Sequence, residues 1–252
     1  MKESGNHVVI TGGTSGIGLA LAEALSAAGN EVLICGRREK RLAEAGARIP
    51  NLRTFACDLA ETGGRRALYD RVREIFPDVN VLINNAGIQR NLDFRNGPQD
   101  LESGENEIRI NLEAPVFLTA LFVPLLKGKE GAYIVNISSG LGFVPMASAP
   151  VYCATKAAMH TFSMTLRVQM APLGIKVLEV IPPAVESELN PQGRAGRPRG
   201  AMGLVDVHEY VASVVKGLRD DVPEIGYGYT QDMMKASRAD LDKRFQMMNR
   251  IT

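Results

Sequence analysis

Apolar positions along this 252-residue chain gather into short unbroken runs, spaced by longer stretches in which they recur at helical intervals. The runs "HVVIT" (7–11), "EVLIC" (31–35), "RTFAC" (53–57), "NVLIN" (80–84), "AYIVNIS" (132–138) and "KVLEVI" (176–181) predict strands. Runs without alternation suit parallel strands covered on both faces. Between them, "GLALAEALSAAG" (18–29), "GGRRALYDRVREIF" (63–76) and "ENEIRINLEAPVFLTALFVPLLK" (105–127) predict helices, with Gly29 ending the first. Helices between successive strands imply right-handed crossovers. The expected fold is a single α/β domain over residues 1–252, a doubly wound parallel sheet with helices on both faces. No repeat or linker divides it. The irregular stretch "NPQGRAGRPRG" (190–200) reads either as a surface loop or, with its flanks at about 186–205, as a substrate lid over the strand ends.

Composition narrows the picture by exclusion. Hydrophobic content of 45% and charged content of 23% are ordinary globular values. A net charge of +1 gives no electrostatic reason to expect nucleic acid or an anionic membrane as partner. The first strand-like run begins by residue 7 without a secretory apolar core, and no run is expected to approach the roughly 18 apolar residues of a membrane span. Cys35, Cys57 and Cys153 lack metal-ligand spacing and read as buried free thiols in a reducing compartment. A cytoplasmic protein without a metal is the expectation.

Candidate chemistry collects at the ends of the strands. "TGGTSGIG" (11–18) follows the first strand and opens the first helix. Its Gly12, Gly16 and Gly18 permit tight turns and close approach of a pyrophosphate to a helix N-terminus. With Thr14, Ser15 and Ile17 they form a candidate phosphate cradle. The second strand runs into "CGRREKR", with glycine where a carboxylate would favour NAD. Arg37 and, secondarily, Arg38 are placed to hold a 2′-phosphate, although they could also simply open a solvated helix. In "CDL" (57–59), Asp58 beside Leu59 either accepts from an adenine amino group or caps the next helix. "NNAG" (84–87) offers Asn85, Ala86 and Gly87 to a ribose, with Asn84 expected to pin the turn. "NISSG" (136–140) and "IPPAVES" (181–187) close the later strands at the same edge, where open α/β sheets bind ligands.

In "VYCATKAAM" (151–159), Tyr152 and Lys156 stand one helical turn apart and face the same way. Alone, such a pair is as readily two snorkelling side chains. Joined to the motifs above and to Asn111 in "RINLEAP", it resembles the short-chain dehydrogenase/reductase family, in its compact Rossmann-type branch, over nearly the whole chain. The resemblance implies a catalytic tetrad of Asn111, Ser139, Tyr152 and Lys156. Ser139 rather than Ser138 matches, thirteen positions before the tyrosine. "NVLINNAGIQR", "SSGLGFVPMA" and "PPAVES" further resemble a bacterial subgroup associated with D-alanine esterification of teichoic acids, an association that says little about the reaction. One departure stands out. The family's usual Pro-Gly after the sixth strand is Pro182-Pro183 here, and Pro183 lacks a donor. Nicotinamide contacts are therefore expected from the Val185 backbone and the Ser187 hydroxyl.

The resemblance supplies the chemistry of the pair. A phenol of pKa about 10 is a poor proton exchanger near neutrality, and an adjacent ammonium lowers that value. Lys156 would do so while binding a cofactor ribose. Ser139 would hold a carbonyl oxygen, and Asn111 would anchor a water leading from Lys156 to solvent, unless it merely bends its helix. His160, two turns past Tyr152, reads as packing. The expected function is an NADP-dependent oxidoreductase interconverting an alcohol and a carbonyl. A silent dinucleotide sensor, or the same chemistry with NAD, is the alternative. Ile88, Gln89, Gly140, Leu141, Phe143, Met146 and Leu189 are the candidate substrate walls. They suit a neutral or weakly polar small molecule. The apolar 111–126 stretch needs more cover than one sheet face gives, so a homodimer or homotetramer is expected.

Overall fold

The computed structural model describes residues 1–189 and 204–250, so the "NPQGRAGRPRG" stretch and most of the expected lid lie outside the described residues. Seven parallel strands form one sheet: β1 (His7–Thr11), β2 (Glu31–Gly36), β3 (Arg53–Ala56), β4 (Val81–Asn84), β5 (Tyr133–Ile137), β6 (Lys176–Ile181) and β7 (Glu224–Gly226). Their order is β3-β2-β1-β4-β5-β6-β7. The chain winds outward from β1 in one direction and from β4 in the other. This reversal opens a crevice at the carboxyl ends of β1 and β4, where a doubly wound sheet takes its ligand.

The unbroken apolar runs have a direct cause. In β1, Val8 and Ile10 join one core while Val9 joins the other. With alternate residues facing opposite layers, a strand buried on both sides is apolar at nearly every position, and a polar residue there needs a buried partner. Helices α1 (Gly16–Ala27), α2 (Glu39–Arg48) and α7 (Val207–Arg219) cover the first core. The second is covered by α3 (Thr62–Ile75), α5 (Ala114–Leu126) and α6 (Pro150–Met170). Among the described residues the remaining α-helices are the single-turn α4 (Gln99–Glu102), then α8 (Tyr229–Lys235) and α9 (Arg238–Asn249).

Three expectations need correction. β3 is an edge strand whose residues are mostly exposed, not one covered on both faces. The predicted 105–127 helix is interrupted, since residues Arg109–Glu113 form a π-helical turn before α5 begins. The combined run Arg109–Leu126 is also long and apolar enough to cross a bilayer, with a mean hydropathy of 1.4. Its Leu118, Phe122 and Leu126 are spent on the second core. Gly29 meets expectation, ending α1 at a φ of +87°.

A buried cation ties the turn after β3 to the π-turn. Arg65, on α3, has no exposed side-chain surface. Its Nε donates to Leu59 O at 2.6 Å, and its Nη2 donates to Ala60 O at 3.0 Å and Arg109 O at 3.3 Å. Nη1 pairs with Glu113 at 2.5 Å. Replacing Arg65 by Met takes the donor from three carbonyls, that of Leu59 buried and the other two half-buried, and a buried acceptor left unsatisfied is worth about 1–3 kcal/mol. Arg65→Met is therefore expected to lower the unfolding free energy by about 3 kcal/mol, read from urea midpoints. A change within about 0.5 kcal/mol would show the tie to be dispensable.

Candidate active site

A cleft of about 960 Å³ runs along the carboxyl ends of the strands. At its floor lies the glycine turn between β1 and α1. Gly12 and Gly16 adopt φ of +66° and +55°, the left-handed region that glycine enters without strain. A Cβ on Gly12 would also come within 2.7 Å of Ala86 Cα. Gly18 does not line the cleft. It lets Asn85 pack behind the loop, since a Cβ there would sit 2.3 Å from Asn85 Nδ2. The N-terminus of α1 has no side-chain cap and opens on the cleft, which Thr14, Ser15, Gly16 and Ile17 line. Such a turn is built to hold phosphate.

Asn85, not Asn84, pins the turn after β4. Asn85 Nδ2 donates to Thr11 O at 2.9 Å and Gly12 O at 3.1 Å, and Thr11 Oγ1 accepts from the amides of Asn85 and Ala86, each at 3.0 Å. Asn84 points into the core, where its Nδ2 donates to Asn136 Oδ1 at 2.9 Å. Asn136 Nδ2 continues to Ser163 Oγ at 3.0 Å. The alternation of β4 explains the exchange, because neighbouring residues face opposite sides. Asp58 closes its own turn by accepting from Ala60 N at 2.9 Å. It does not cap α3, whose N-cap position is Glu61.

Both arginines after β2 line the cleft with Asp58 and Leu59. Arg38 Nη2 donates to Thr14 Oγ1 at 3.2 Å and Ser15 Oγ at 3.0 Å, while Nη1 pairs with Glu188 at 2.9 Å. Arg37 pairs with Glu105, and this hydrogen bond raises its pKa. Sequence reasoning missed both acidic partners. They come from loops remote in sequence, and only the strand order brings them to the arginines.

At the other end of the cleft, Tyr152, Lys156 and Ser139 come together. Lys156 Nζ donates to Ile137 O at 2.8 Å and lies 5.6 Å from the centre of the Tyr152 ring. Burial lowers its pKa to about 8, against an opposing pull from the charge of Glu179. Ser139 Oγ accepts from Leu141 N at 3.1 Å, which leaves its hydroxyl proton for a ligand oxygen. Asn111 occupies the π-turn. Its side chain clamps Ile88 from both sides, accepting from the amide at 2.9 Å and donating to the carbonyl at 2.8 Å. A third bond reaches Thr155 Oγ1 at 3.2 Å. π-turns of this kind recur at functional sites.

Of the residues expected to meet substrate or cofactor, Ile88, Gln89, Gly87, Gly140, Leu141, Met146, Leu189, Pro182, Val185 and Ser187 line the cleft. Phe143 does not. Its ring packs on His160, with centroids 4.6 Å apart. His160 in turn is more than packing, because its Nδ1 lies 2.8 Å from Glu179 Oε2. Tyr229, Met233 and Met248, from α8 and α9, close the wall. The methionine-rich "DMMK" and "QMMN" stretches were the available signal for that wall.

This constellation defines an oxidoreductase of the dinucleotide-binding α/β class, and the comparisons agree. The short chain dehydrogenase profile matches residues 6–198, and the chain belongs to that family. It is 46% identical over 249 residues, 99% of this chain and 98% of the other, to the uncharacterized oxidoreductase DltE of Bacillus subtilis. A Burkholderia cenocepacia short-chain dehydrogenase in complex with NADP superposes with a TM-score of 0.83 at 26% identity, covering 97% of this chain and 99% of that one. One from Sphingobium yanoikuyae in complex with NADPH gives 0.77 at 27% identity, over 94% and 95%.

Proposed function

We propose that this protein is an NADP(H)-dependent oxidoreductase that interconverts an alcohol and a carbonyl, with Tyr152 as acid and base. The observation that carries the reading is the buried Lys156 ammonium beside the Tyr152 ring at the wall of the cleft. The glycine turn fits a dinucleotide, since Gly12 and Gly16 hold left-handed backbone at the cleft floor and Gly12 leaves no room for a side chain against Ala86. Gly12, Ser15 and Ile17 would hold its phosphates, and Arg37 with Arg38 the 2′-phosphate. When bound, the nicotinamide supplies or accepts the hydride.

The residues of the chain handle the proton. Ser139 Oγ donates to the carbonyl oxygen and fixes its place. Tyr152 passes its phenolic proton to that oxygen as negative charge builds on it. Lys156 in its charged form makes the phenol more acidic, which favours the transfer. Because Lys156 is protonated below about pH 8, reduction is expected to weaken as pH rises through that value. The Asn111 side chain is occupied by Ile88 and Thr155, so a water leading from Lys156 would be taken by a carbonyl of the π-turn. Substrate lies against Ile88, Leu141, Met146 and Leu189, apolar walls that suit a neutral or weakly polar compound.

The chain is also proposed to act as a homodimer or homotetramer. Thr161, Met164, Thr165 and Val168 are exposed at helical spacing on the outer face of α6, and Met164 and Val168 are 47% and 75% exposed. Sedimentation at micromolar concentration is expected to give a multiple of the chain mass, and a single-chain mass would refute assembly.

Cofactor titration tests the arginines. An arginine–phosphate pair contributes about 1.5–3 kcal/mol, so Arg37→Ala should weaken NADP(H) roughly ten- to hundredfold and spare NAD(H). Arg38→Ala should weaken both, because Arg38 also braces Thr14 and Ser15. Equal wild-type affinities for the two cofactors would favour NAD instead.

Tyr152→Phe tests the chemistry itself. It keeps the ring and deletes the proton donor, and loss of positioned acid catalysis is worth roughly 10²–10⁴ in rate. Turnover of an active carbonyl should fall by that factor while NADP(H) affinity is retained. Near-full turnover in this variant would overturn the mechanism. Tight cofactor binding with no turnover of any carbonyl or alcohol by wild type would favour a sensor.

A further inference from the structure

A buried carboxylate stands behind the Tyr152–Lys156 pair without a task in the reaction just described. Glu179 interrupts the apolar run of β6 and is fully buried. Its Oε1 accepts from Ser138 Oγ at 2.5 Å, and its Oε2 meets His160 Nδ1 at 2.8 Å. Tyr152, Lys156 and His160 recur every fourth residue and so share one face of α6. Ser138 sits between Ile137, whose carbonyl holds Lys156 Nζ, and Ser139. The Glu179 network therefore grips the strand end from which both groups of the site hang.

A carboxylate cut off from water is expensive unless it is paired and hydrogen-bonded. An apolar residue would satisfy the strand more simply, so the charge calls for a reason. Lys156 provides one, because its ammonium is also cut off from water and Glu179 opposes the effect of burial on it. Among the described residues, the charged and titratable groups facing this network are Tyr152, Lys156, His160 and Arg167 from α6, and Glu224 from β7. Arg167 and Glu224 lie 3.5 Å apart and offset one another. His160, Glu179 and Glu224 could present ligand atoms within 4.8 Å. With Arg167 beside Glu224 and Ser138 on Glu179, however, the cluster is hydrogen-bonded rather than built for a metal.

We propose that Glu179 is a positioning residue of the proposed reaction: it fixes the Ile137–Ser139 strand end and supplies the negative charge against which Lys156 is buried, with His160 closing the network toward solvent. The assignment rests on the oxidoreductase reading for its role, but its test does not. Titration of protein labelled with ¹⁵N at the lysine Nζ reads the charge of Lys156 without substrate or cofactor, and Lys156→Arg identifies the resonance. Wild type is expected to titrate near pH 8. Glu179→Gln keeps the shape and an acceptor for Ser138, and should lower the midpoint by about one unit. Ser138→Ala, which removes one donor to the carboxylate, should lower it by less. It serves as the deciding variant should Glu179→Gln fail to fold.

An unmoved midpoint in a folded variant overturns the proposal. With an active carbonyl, the high-pH fall of kcat in Glu179→Gln should shift with the same midpoint, and a loss of equal size at every pH would mark a merely structural role and also overturn it. A shifted midpoint in a protein that reduces no carbonyl supports the placement of Glu179 opposite Lys156 and sinks the oxidoreductase reading instead.

Discussion

Lys156 holds a charge where the chain leaves it almost no water, and much of the surrounding structure answers that cost. The Ile137 carbonyl takes one of its protons at 2.8 Å. That carbonyl is available because β5 ends there, and Ser139, two residues on, turns out of the sheet into a short 3-10 helix. Desolvation alone drives a lysine toward neutrality. In the proposed reaction Lys156 must stay charged near neutrality, and the Ile137 carbonyl with the Glu179 carboxylate offsets part of its desolvation.

The two ends of the cleft are mechanically joined. Arg65 grips Leu59 and Ala60 in the turn after β3 and Arg109 at the start of the π-turn. Asn111, inside that turn, grips Ile88. The turn after β3 and the Ile88 loop, both lining the cleft, are thus two hydrogen-bonded steps apart.

The sheet was legible because its strands are buried on both faces and leave unbroken apolar runs. β7 escaped because its three residues form no run, and β3 misled because an edge strand with apolar letters looks like an inner one. Tyr152, Lys156, Ser139 and the glycine turn could be found by local spacing, since each depends on one turn or one helix. Glu179, Glu105, Glu188 and Arg65 could not. Their partners lie many residues away, and only the strand order decides who meets whom. Asn84 and Asn85 show the same limit at close range, because neighbouring asparagines on a strand end differ only in the side they face. Phe143 was assigned to the cleft by its place in the chain, and the short helix after Ser139 turned it to His160 instead.

The paired asparagines of the inner strands also act on assembly of the fold. Asn84 and Asn136 are register partners between β4 and β5, and their side chains bond to each other within the core. Apolar runs such as these match one another almost equally well when shifted, so hydrophobic burial alone sets register weakly there. A slip by a single residue would turn the two amides to opposite layers and break the bond between them, leaving the buried Asn136 carbonyl without its donor, a penalty of about 1–3 kcal/mol. The pair works as a proofreading mark between two otherwise interchangeable strands. It is placed one residue ahead of the turn that carries Asn85 and two ahead of Ser138, so a chain that passes this check has already aligned both walls of its cleft.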